Sequence, residues 1–502
     1  MPGGISLDAK IGMLPTLGML ALLAPVLSLP TSHEAVESSL EAISPRIDVV
    51  DAPDLERKLS ITHMTTSKAI EAMKAPPIHD IEKMESSLSK DLFTGIVTCP
   101  TGKLHAIGDL HGDFDAATGV MRRLHLLYVD DSSPTGFKWG GGTDCLISTG
   151  DISDRGHDFL KIMQLFKQLE TQAADAGGKF FFSLGNHELA FNLKRDAGTY
   201  LAMTSDADIY SFCKGGDGHR RKHHNGERYS LDECKEVREG ILHPAYGEWG
   251  KWLFSHPIVI YETTTRSLLM HGGLTGEWLQ GLCEDTGYGC KPDHDATAAD
   301  KELATKHTVM AINYAAHTAI LQHYKERSEL LSHDAPKWGP NDQEGPLWTR
   351  KWGSCNHGGR CKHGKCKYGS CEDERCVLHH DDRKECRQDV GHMLFSTFYR
   401  LNPVQQMIVG HTIQKANAVT AYRLRSHQEL VAVDKEDINE YQADAKLFMI
   451  DVRLSTGFCY KKTGQKCEDK NRDALTLDVN AETGERVSWK TLCSQGKGAD
   501  NC

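Results

Sequence analysis

Gly150-Asp-Ile-Ser-Asp-Arg-Gly156 places two carboxylates and one guanidinium within a short, glycine-bounded segment. The apolar run Cys145–Thr149 precedes this segment and predicts a short buried strand. In α/β proteins, the loops that follow the carboxyl ends of strands are the usual ligand-binding loops. A short motif of this kind also occurs by chance in solvated loops, so its meaning depends on the rest of the chain.

The same order of apolar strand and glycine-bounded polar loop recurs on both sides of this segment. Leu104–Ile107 precedes Gly108-Asp-Leu-His-Gly112, and the pattern after it predicts an amphipathic helix over Phe114–Leu127. Phe180–Leu184 precedes Gly185-Asn-His-Glu188. Repeated strand, loop and helix are typical of βαβ units, which gather the loops at their strand ends along one edge of a sheet.

Three later strands are predicted to end in polar residues as well. They are Ser267–Met270 before His271-Gly-Gly273, Gln406–Val409 before Gly410-His-Thr412, and Leu447–Ile450 before Asp451. Five of the predicted strands therefore bring a set of oxygen and imidazole ligands to one place. The members of this set are Asp109, His111, Asp151, Asn186, His271 and His411. Manganese, iron and zinc use such ligands, whereas thiolate-preferring ions do not.

Six side chains of this kind offer too many ligand bonds for one ion but suit two divalent ions. A carboxylate can bridge two ions, and Asp151 is the natural bridge. Two ions about 3.5–4 Å apart polarise a phosphoryl oxygen and lower the pKa of a shared water, which makes hydroxide at neutral pH. The first site would add Asp109 and His111, and the second would add Asn186, His271 and His411.

The remaining polar groups of these loops fit hydrolysis of a phosphate ester. Arg155 can bind phosphate oxygens in a bidentate manner. His187 can protonate the leaving oxygen, and Asp154 can orient this histidine and raise its pKa. Arg350, in Gly345-Pro-Leu-Trp-Thr-Arg350, is a candidate for the other side of the phosphate. Asn186 lies between these groups and would contact both metal and substrate.

These motifs resemble those of the phosphoprotein phosphatases, within the calcineurin-like metallophosphoesterases. The resemblance covers roughly residues 100–455. It implies an α/β fold, a β-sandwich of two central mixed sheets flanked by helices, with a dimetal site at the sheet edge. It also implies that the ligands and catalytic groups of the family fall on the positions named above. The implied substrate is a phosphoprotein, with serine or threonine phosphate favoured and tyrosine phosphate as an alternative.

Some details resemble the Shewanella-like protein phosphatases most. Leu184 precedes Gly185-Asn-His-Glu188, at a position where the common eukaryotic branch has an arginine. The second phosphate-binding arginine lies in Pro346-Leu-Trp-Thr-Arg350 instead of an Asn-Asp-Arg-Gly context.

Two other functions stay open at this point. The first is hydrolysis of dinucleoside polyphosphates, although Asp154 directly before Arg155 and two glycines after His271 are closer to the phosphatase pattern. The second is a catalytically inactive, secreted binding module that metal stabilises. Retention of all six ligands together with His187 and Arg155 is evidence against this second function.

The first thirty residues contain an apolar run, 11–27, that two prolines interrupt. The run is a poor membrane span but resembles a secretory signal, so no stable membrane insertion is expected. An organellar or signal-anchored protein is the alternative. The net charge of −11 argues against nucleic-acid binding.

The 16 cysteines favour the secretory pathway, since most lie in polar, surface-like sequence where disulfides are expected. Predicted local pairs are Cys213–Cys234, Cys283–Cys290, Cys459–Cys467 and Cys493–Cys502. Cys145 lies in an apolar strand and is expected to be a buried thiol. Six further cysteines lie in a small insert, 353–388. They are Cys355, Cys361, Cys366, Cys371, Cys376 and Cys386. A zinc knuckle is the alternative there, but the spacing lacks the usual Cys-x2-Cys pairs, so disulfides are preferred.

The predicted organisation places a signal peptide at 1–30, an extension at 31–98, a catalytic domain at 99–455 and a polar tail at 456–502. A basic loop, 214–228, lies between the third and fourth metal motifs. A solvated insertion is the preferred interpretation of this loop, and recognition of acidic phosphosubstrates is the alternative. The oligomeric state, the metal identity and the physiological substrate do not follow from the sequence.

Overall fold

A computed structural model of the chain describes residues 94–99, 103–190, 192, 201–214, 222–223, 226–323, 345–353, 355, 366, 370–372, 375–377, 379–414, 419–424, 430–433, 445–452, 473–479 and 486–492. The predicted signal peptide and most of the basic loop 214–228 lie outside these residues. No described helix combines the length and the hydropathy that crossing a membrane requires.

Sixteen strands and nine helices lie in the part of the chain that the structure describes. The strands are β1 (Ile96–Val97), β2 (Leu104–Ile107), β3 (Leu127–Val129), β4 (Phe137–Trp139), β5 (Cys145–Ser148), β6 (Lys179–Phe182), β7 (Val259–Glu262), β8 (Ser267–Met270), β9 (Ser370–Glu372), β10 (Arg375–Val377), β11 (Gln406–Val409), β12 (Thr420–Leu424), β13 (Leu430–Ala432), β14 (Ala445–Met449), β15 (Leu475–Val479) and β16 (Arg486–Thr491). The helices are α1 (Phe114–Arg123), α2 (Phe159–Asp175), α3 (Asn186–Ala190), α4 (Asp206–Phe212), α5 (Leu231–Ile241), α6 (Glu248–Leu253), α7 (Gly276–Thr286), α8 (Ala298–His323) and α9 (His380–Arg400).

Two mixed sheets form the centre of the fold. One has the strand order β1-β7-β8-β11-β14-β12-β13, and the other has the order β16-β15-β2-β5-β6. Strands β8, β11 and β14 run parallel to one another in the first sheet. Strands β2, β5 and β6 run parallel in the second. Each sheet therefore has a parallel portion whose carboxyl ends lie together at one edge.

The core of the sandwich follows from the alternation of side chains along each strand. In β5, Ile147 joins a cluster that contains residues of both sheets, such as Leu269 and Phe448. Its neighbour Leu146 belongs to a larger cluster that includes helix residues such as Phe166. One face of the second sheet therefore packs on the first sheet, and the other face packs on helices. The architecture confirms the predicted fold class of two mixed sheets flanked by helices.

Helix α1 ends at Arg123, earlier than the sequence predicts, because the backbone leaves the helical conformation before the apolar periodicity ends. Leu124 closes the helix, and His125 adopts a left-handed φ of 62°. Leu126 then donates a backbone hydrogen bond back to Met121, and the chain continues directly into β3. Leu126 and Leu127 are buried, but they lie outside the helix.

Residues on both flanks of the predicted catalytic domain, in the predicted extension and in the predicted tail, contribute strands to the sheets. Ile96 and Val97 pair with Tyr261 and Glu262 of β7. At the other end of the chain, β15 pairs with β2, and β16 pairs with β15. The apolar residues Leu475 and Leu477 alternate with polar ones and point into the layer between the sheets. This two-residue period is the only sequence signal of β15, and it is short.

The described disulfides confirm two predicted pairs and correct one prediction. Cys213–Cys234 and Cys283–Cys290 are bonded as expected. Cys145 is not a free thiol, because it is bonded to Cys99, which follows β1. Both sulfurs lie in the layer between the sheets, where strands that are distant in sequence meet. The sequence places Cys145 in a strand but does not reveal which cysteine the sheet packing brings next to it.

The small insert contains disulfides among its described residues, as preferred over a zinc knuckle. Cys355 pairs with Cys386, and Cys366, which precedes β9, pairs with Cys376 of β10. The first of these pairs ties the chain just after Arg350 to helix α9. The predicted pairs Cys459–Cys467 and Cys493–Cys502 lie outside the described residues.

Candidate metal centre

The six predicted ligands meet where the carboxyl ends of the parallel strands of both sheets face each other. They follow five strands, with Asp109 and His111 after β2, Asp151 after β5, Asn186 after β6, His271 after β8 and His411 after β11. All six side chains are buried. A direct contact at this site joins the two sheets. The His411 amide, after β11, donates a hydrogen bond to Asp109 Oδ2, after β2, at 3.2 Å.

Several of these loops hold non-glycine residues in the left-handed region of φ. The angle is 44° at His111, 51° at Asp151 and 59° at His411. Asp154 and Arg155 have φ values of 68° and 64°. Each such residue costs on the order of 1–3 kcal/mol and persists only where the surrounding structure fixes it. The strain is concentrated in the loops that carry the candidate ligands.

Two glycines at the site have no room for a side chain. A Cβ atom on Gly410 would collide with the carboxylate of Asp109, and one on Gly185 would collide with that of Asp151. The glycines of these motifs therefore allow the close approach of neighbouring loops.

His271 has the geometry of a metal ligand with a fixed tautomer. Its Nδ1 lies 3.1 Å from the carbonyl oxygen of Thr149, which can only accept, so Nδ1 carries the proton. The lone pair of Nε2 then faces Asn186 Oδ1 at 2.7 Å, His411 Nδ1 at 2.9 Å and Asp151 Oδ2 at 3.2 Å. Four ligand atoms thus converge, and a cation is what would hold them together.

His411 has one buried ring nitrogen that lacks a hydrogen bond. Its Nε2 has no hydrogen-bond partner among the described residues. Burial, followed by the nearby His271, lowers the pKa of His411 well below its ordinary value. The ring is therefore neutral, which is the form that binds a metal.

His111 and Asp151 form the start of a second group of ligands. His111 Nδ1 lies 3.2 Å from the carbonyl oxygen of Ser153, which leaves Nε2 to face Asp151 Oδ2 at 3.7 Å. Burial, followed by the charge of His187, lowers the pKa of His111 well below its ordinary value. Asp151 takes part in both groups of ligand atoms, with His111 and His187 in one and with His271 and His411 in the other.

Two buried carboxylates at the site have pKa values that are shifted in opposite directions. Burial, then Asp451 and Asp151, raise the pKa of Asp109 well above its ordinary value. Burial acts the same way on Asp151, but His271 and His187 outweigh it and hold the pKa of Asp151 well below its usual range. Buried carboxylate oxygens next to imidazole nitrogens are a donor set that suits divalent cations.

Glu188 supports these loops in a way that sequence reasoning missed. Its carboxylate accepts hydrogen bonds from the amides of Asp151 at 2.9 Å, Ser153 at 3.0 Å and Gly185 at 2.8 Å. The Ser153 hydroxyl donates a further bond of 2.7 Å. Glu188 therefore joins the loop after β5 to the loop after β6. Its position next to His187 in the motif was the available signal.

His187 and Asp154 form the predicted pair beside the ligands. His187 Nδ1 lies 2.9 Å from Asp154 Oδ2, and its Nε2 lies 3.7 Å from Asp151 Oδ2. Burial lowers the pKa of His187, but the charge of Asp151 and the hydrogen bond to Asp154 outweigh it and raise the pKa above its ordinary value. These two carboxylates therefore favour the protonated form of the imidazole.

The two predicted arginines lie on different sides of the site. Arg155 Nη2 is 3.3 Å from His187 Nε2, on the side of the loop after β5. Arg350 Nη1 donates to the carbonyl oxygen of His411 at 2.9 Å, and the residue is exposed to solvent. Arg350 lies in a segment between α8 and α9, which is anchored by Trp352 packed over Gly273.

Comparison with known proteins identifies similar chains. A family profile described as calcineurin-like phosphoesterase matches residues 102–414. An uncharacterised Schizosaccharomyces pombe protein is 34% identical over 248 residues, which are 49% of this chain and 57% of that protein. Shewanella-like protein phosphatase 2 of Arabidopsis thaliana is 38% identical over 94 residues, 19% of this chain and 22% of the relative. The chain thus spans about half the length of these curated relatives or less.

One match among the solved structures is the cold-active protein-tyrosine phosphatase of a psychrophilic Shewanella species. The identity is 18% and the TM-score is 0.41, and the match covers 79% of this chain and 82% of that one.

Proposed function

Because this chain belongs to the calcineurin-like phosphoesterases, we propose that it is a dimetal phosphatase that hydrolyses phosphomonoesters on proteins. The observation that carries the proposal is the convergence of ligand lone pairs around His271 Nε2 and Asp151 Oδ2. Family membership by itself supports a metal-dependent phosphoesterase. The narrower substrate class is the proposed part.

The proposed ligands divide into two sites that share Asp151. Asp109 and His111 complete the first, and Asn186, His271 and His411 complete the second. When bound, the two ions would polarise the phosphate and supply a hydroxide nucleophile at neutral pH. Manganese, iron and zinc all accept this set of oxygen and imidazole ligands.

The other residues of the site would bind the phosphate and move one proton. Arg155 would bind phosphate oxygens from the side of His187, and Arg350 would bind them from the side of His411. Asn186 would contact the phosphate as well as a metal. The His187 imidazole would donate its proton to the leaving oxygen, and Asp154 would keep the ring in the required orientation and tautomer.

Phosphoproteins are proposed as substrates because named relatives are protein phosphatases, among them those of Arabidopsis thaliana and Plasmodium berghei. Phosphoserine and phosphothreonine are the proposed residues, with phosphotyrosine as the alternative. A panel of phosphopeptides carrying each residue, assayed with manganese, measures this preference. Turnover of diadenosine tetraphosphate that exceeds turnover of every phosphopeptide would instead identify a dinucleoside polyphosphate hydrolase. Hydrolysis of p-nitrophenyl phosphate with manganese at a rate above background would rule out a catalytically inactive binding module.

The metal assignment is tested by Asp151→Asn. Removing the shared anion should lower activity by at least about 100-fold and reduce the bound metal, because second-sphere groups alone already account for 10–100-fold. Metal content is measured by elemental mass spectrometry on purified protein. Near-normal turnover together with two bound ions per chain would rule out Asp151 as the bridge.

We also propose a location in the secretory pathway, with 1–30 as a signal peptide and 31–98 as an extension before a catalytic domain at 99–455. The described disulfides support an oxidising compartment. Cell fractionation with protease protection tests the compartment, and amino-terminal sequencing of the mature protein tests the cleavage. A cytosolic, uncleaved chain with reduced cysteines would overturn this proposal.

A further inference from the structure

A segment of the insertion between the loop after β6 and strand β7 lies directly against the loop after β5. The Arg155 amide donates to the carbonyl oxygen of Met203 at 2.9 Å. The Thr204 hydroxyl donates to Asp154 Oδ1 at 2.6 Å, and the Ser205 hydroxyl donates to the carbonyl oxygen of Gly156 at 2.9 Å. Three consecutive residues, 203–205, therefore dock on the Asp154 side of the site.

Thr204 contacts the one oxygen of Asp154 that does not contact His187. Asp154 Oδ2 lies 2.9 Å from His187 Nδ1, and Oδ1 accepts the hydrogen bond from Thr204. The Asp154 side chain is fully buried, and a buried carboxylate oxygen needs a hydrogen-bond donor, which Thr204 supplies to Oδ1. With both oxygens engaged, the carboxylate plane is fixed and the lone pair of Oδ2 points at the imidazole.

The position of Thr204 is itself set by the helices that follow. The Ser205 hydroxyl caps α4 by accepting from the Asp208 amide at 3.2 Å. Asp208 Oδ1 in turn accepts from the Phe159 amide at 3.1 Å, which ties α4 to the start of α2. The Cys213–Cys234 disulfide joins the end of α4 to α5. Residues 203–205 thus directly precede α4, which this disulfide joins to α5.

We propose that Thr204 is a positioning residue of the reaction, the outer member of a Thr204–Asp154–His187 hydrogen-bonded chain. The inference rests on the proposed function, in which His187 protonates the leaving oxygen. It assigns a role in proton transfer to the insertion between the third and fourth motifs. The role requires a hydroxyl donor and no charge.

The test compares Thr204→Val, which keeps the shape and removes the hydroxyl, with Thr204→Ser, which keeps the hydroxyl. We expect Thr204→Val to lower kcat for a phosphoserine peptide about 10-fold, in the range that supporting hydrogen bonds contribute. The loss should be much smaller for p-nitrophenyl phosphate, whose leaving group needs little protonation. Thr204→Ser should restore the phosphoserine rate, and metal content should be unchanged in both variants.

Ser211→Ala is the matched control, because it removes a hydroxyl from α4 that donates only within the insertion, to the Asp208 carbonyl oxygen. This variant should behave as wild type on both substrates. Thr204→Ala replaces Thr204→Val if the valine variant does not fold. Equal losses on both substrates, or failure of Thr204→Ser to restore the rate, would overturn the inference.

His187→Ala separates this inference from the proposed function. If His187→Ala loses more rate on phosphoserine than on p-nitrophenyl phosphate while Thr204→Val matches wild type, only the role of Thr204 is wrong. If His187→Ala loses the same factor on both substrates, the proposed proton donor itself is wrong, and the role of Thr204 is wrong with it.

Discussion

Glu188 accepts four hydrogen bonds from the two loops that carry Asp151 and Asn186. In Glu188→Gln, an amide group would face backbone N–H donors, and at least one of those donors would lose its partner. We expect manganese affinity to fall about 10–100-fold and the free energy of unfolding to fall by about 1–3 kcal/mol. Isothermal titration calorimetry measures the affinity, and urea denaturation measures the stability.

The control for this prediction is Glu284→Gln, on the exposed side of α7, where neither quantity should change. Manganese affinity within twofold of wild type for Glu188→Gln would mean that the two loops hold their positions without this carboxylate.

At the level of single residues, the convergence of the candidate ligands could be predicted from the sequence, but the contact between Thr204 and Asp154 could not. Asp109, Asp151 and His271 each follow an apolar strand, so local pattern and sheet geometry are enough to bring them together. Thr204 meets Asp154 across 50 residues of chain, through a segment with no regular pattern. Contacts of that kind depend on how the insertion packs, and the local sequence carries no signal for it.

Helix α5 places a buried charge behind the site. Arg238 is fully buried, lies 3.6 Å from Asp208 Oδ2 and donates to Asn192 Oδ1. Asn192 in turn donates to Ser153 Oγ at 2.9 Å and to the His187 carbonyl oxygen at 2.8 Å. Helix α5 is therefore connected, through the side chain of Asn192, to the segments that carry Ser153 and His187.

Arg238→Met should destabilise the protein by about 3–5 kcal/mol, because Asp208 would remain buried without its partner. Combining it with Asp208→Asn should recover part of the loss. Chemical denaturation of the single and double variants measures this coupling. Lys235→Met, on the exposed face of the same helix, should change stability by less than about 0.5 kcal/mol. No recovery in the double variant would mean that the pair is not coupled.

At the level of elements, the strands with strong apolar runs were predicted at nearly their observed positions. The predicted helix α1 was too long because apolar periodicity does not reveal the left-handed backbone conformation of His125. Strands β1 and β15 were missed because they are short and border polar sequence. Their sheet positions come from pairing with β7 and β2, which are distant in the chain.

The disulfides of the whole molecule differ in burial, so they should differ in resistance to reduction. The half-buried pairs Cys283–Cys290 and Cys366–Cys376 should open before the buried pairs Cys99–Cys145 and Cys213–Cys234. Graded reduction followed by alkylation and mass spectrometry measures the order. Activity should persist while only the half-buried pairs are open, because the candidate metal ligands are oxygen and imidazole groups. Free thiols on Cys99 or Cys145 in the unreduced protein would contradict the structure.

His317, on α8, should make the metal-free protein sensitive to mild acid. Burial lowers the pKa of His317 from 6.5 to about 4, although its hydrogen bond to the Phe254 carbonyl oxygen opposes the shift. The unfolded chain therefore binds this proton more readily than the folded chain, and stability should fall as the pH drops from about 6.5 towards 4. His317→Asn should flatten this part of the stability profile, measured by thermal unfolding with a chelator present. A profile with the same slope as wild type would assign the acid sensitivity to other groups.

The pairing of β15 with β2 has a consequence for the order in which this protein can be made. His105 and Thr476 face each other across 371 residues, with their side chains 3.0 Å apart. While a ribosome extends the chain from β2 to β15, β2 has an unpaired edge, which is a template for pairing with other chains. A fragment that stops at residue 470 should therefore be found mostly in the insoluble fraction of the expressing cells. The full chain should be soluble, and a separately supplied segment spanning 471–502 should rescue the fragment in part. A soluble, monomeric fragment would show that the growing chain protects β2 by other means.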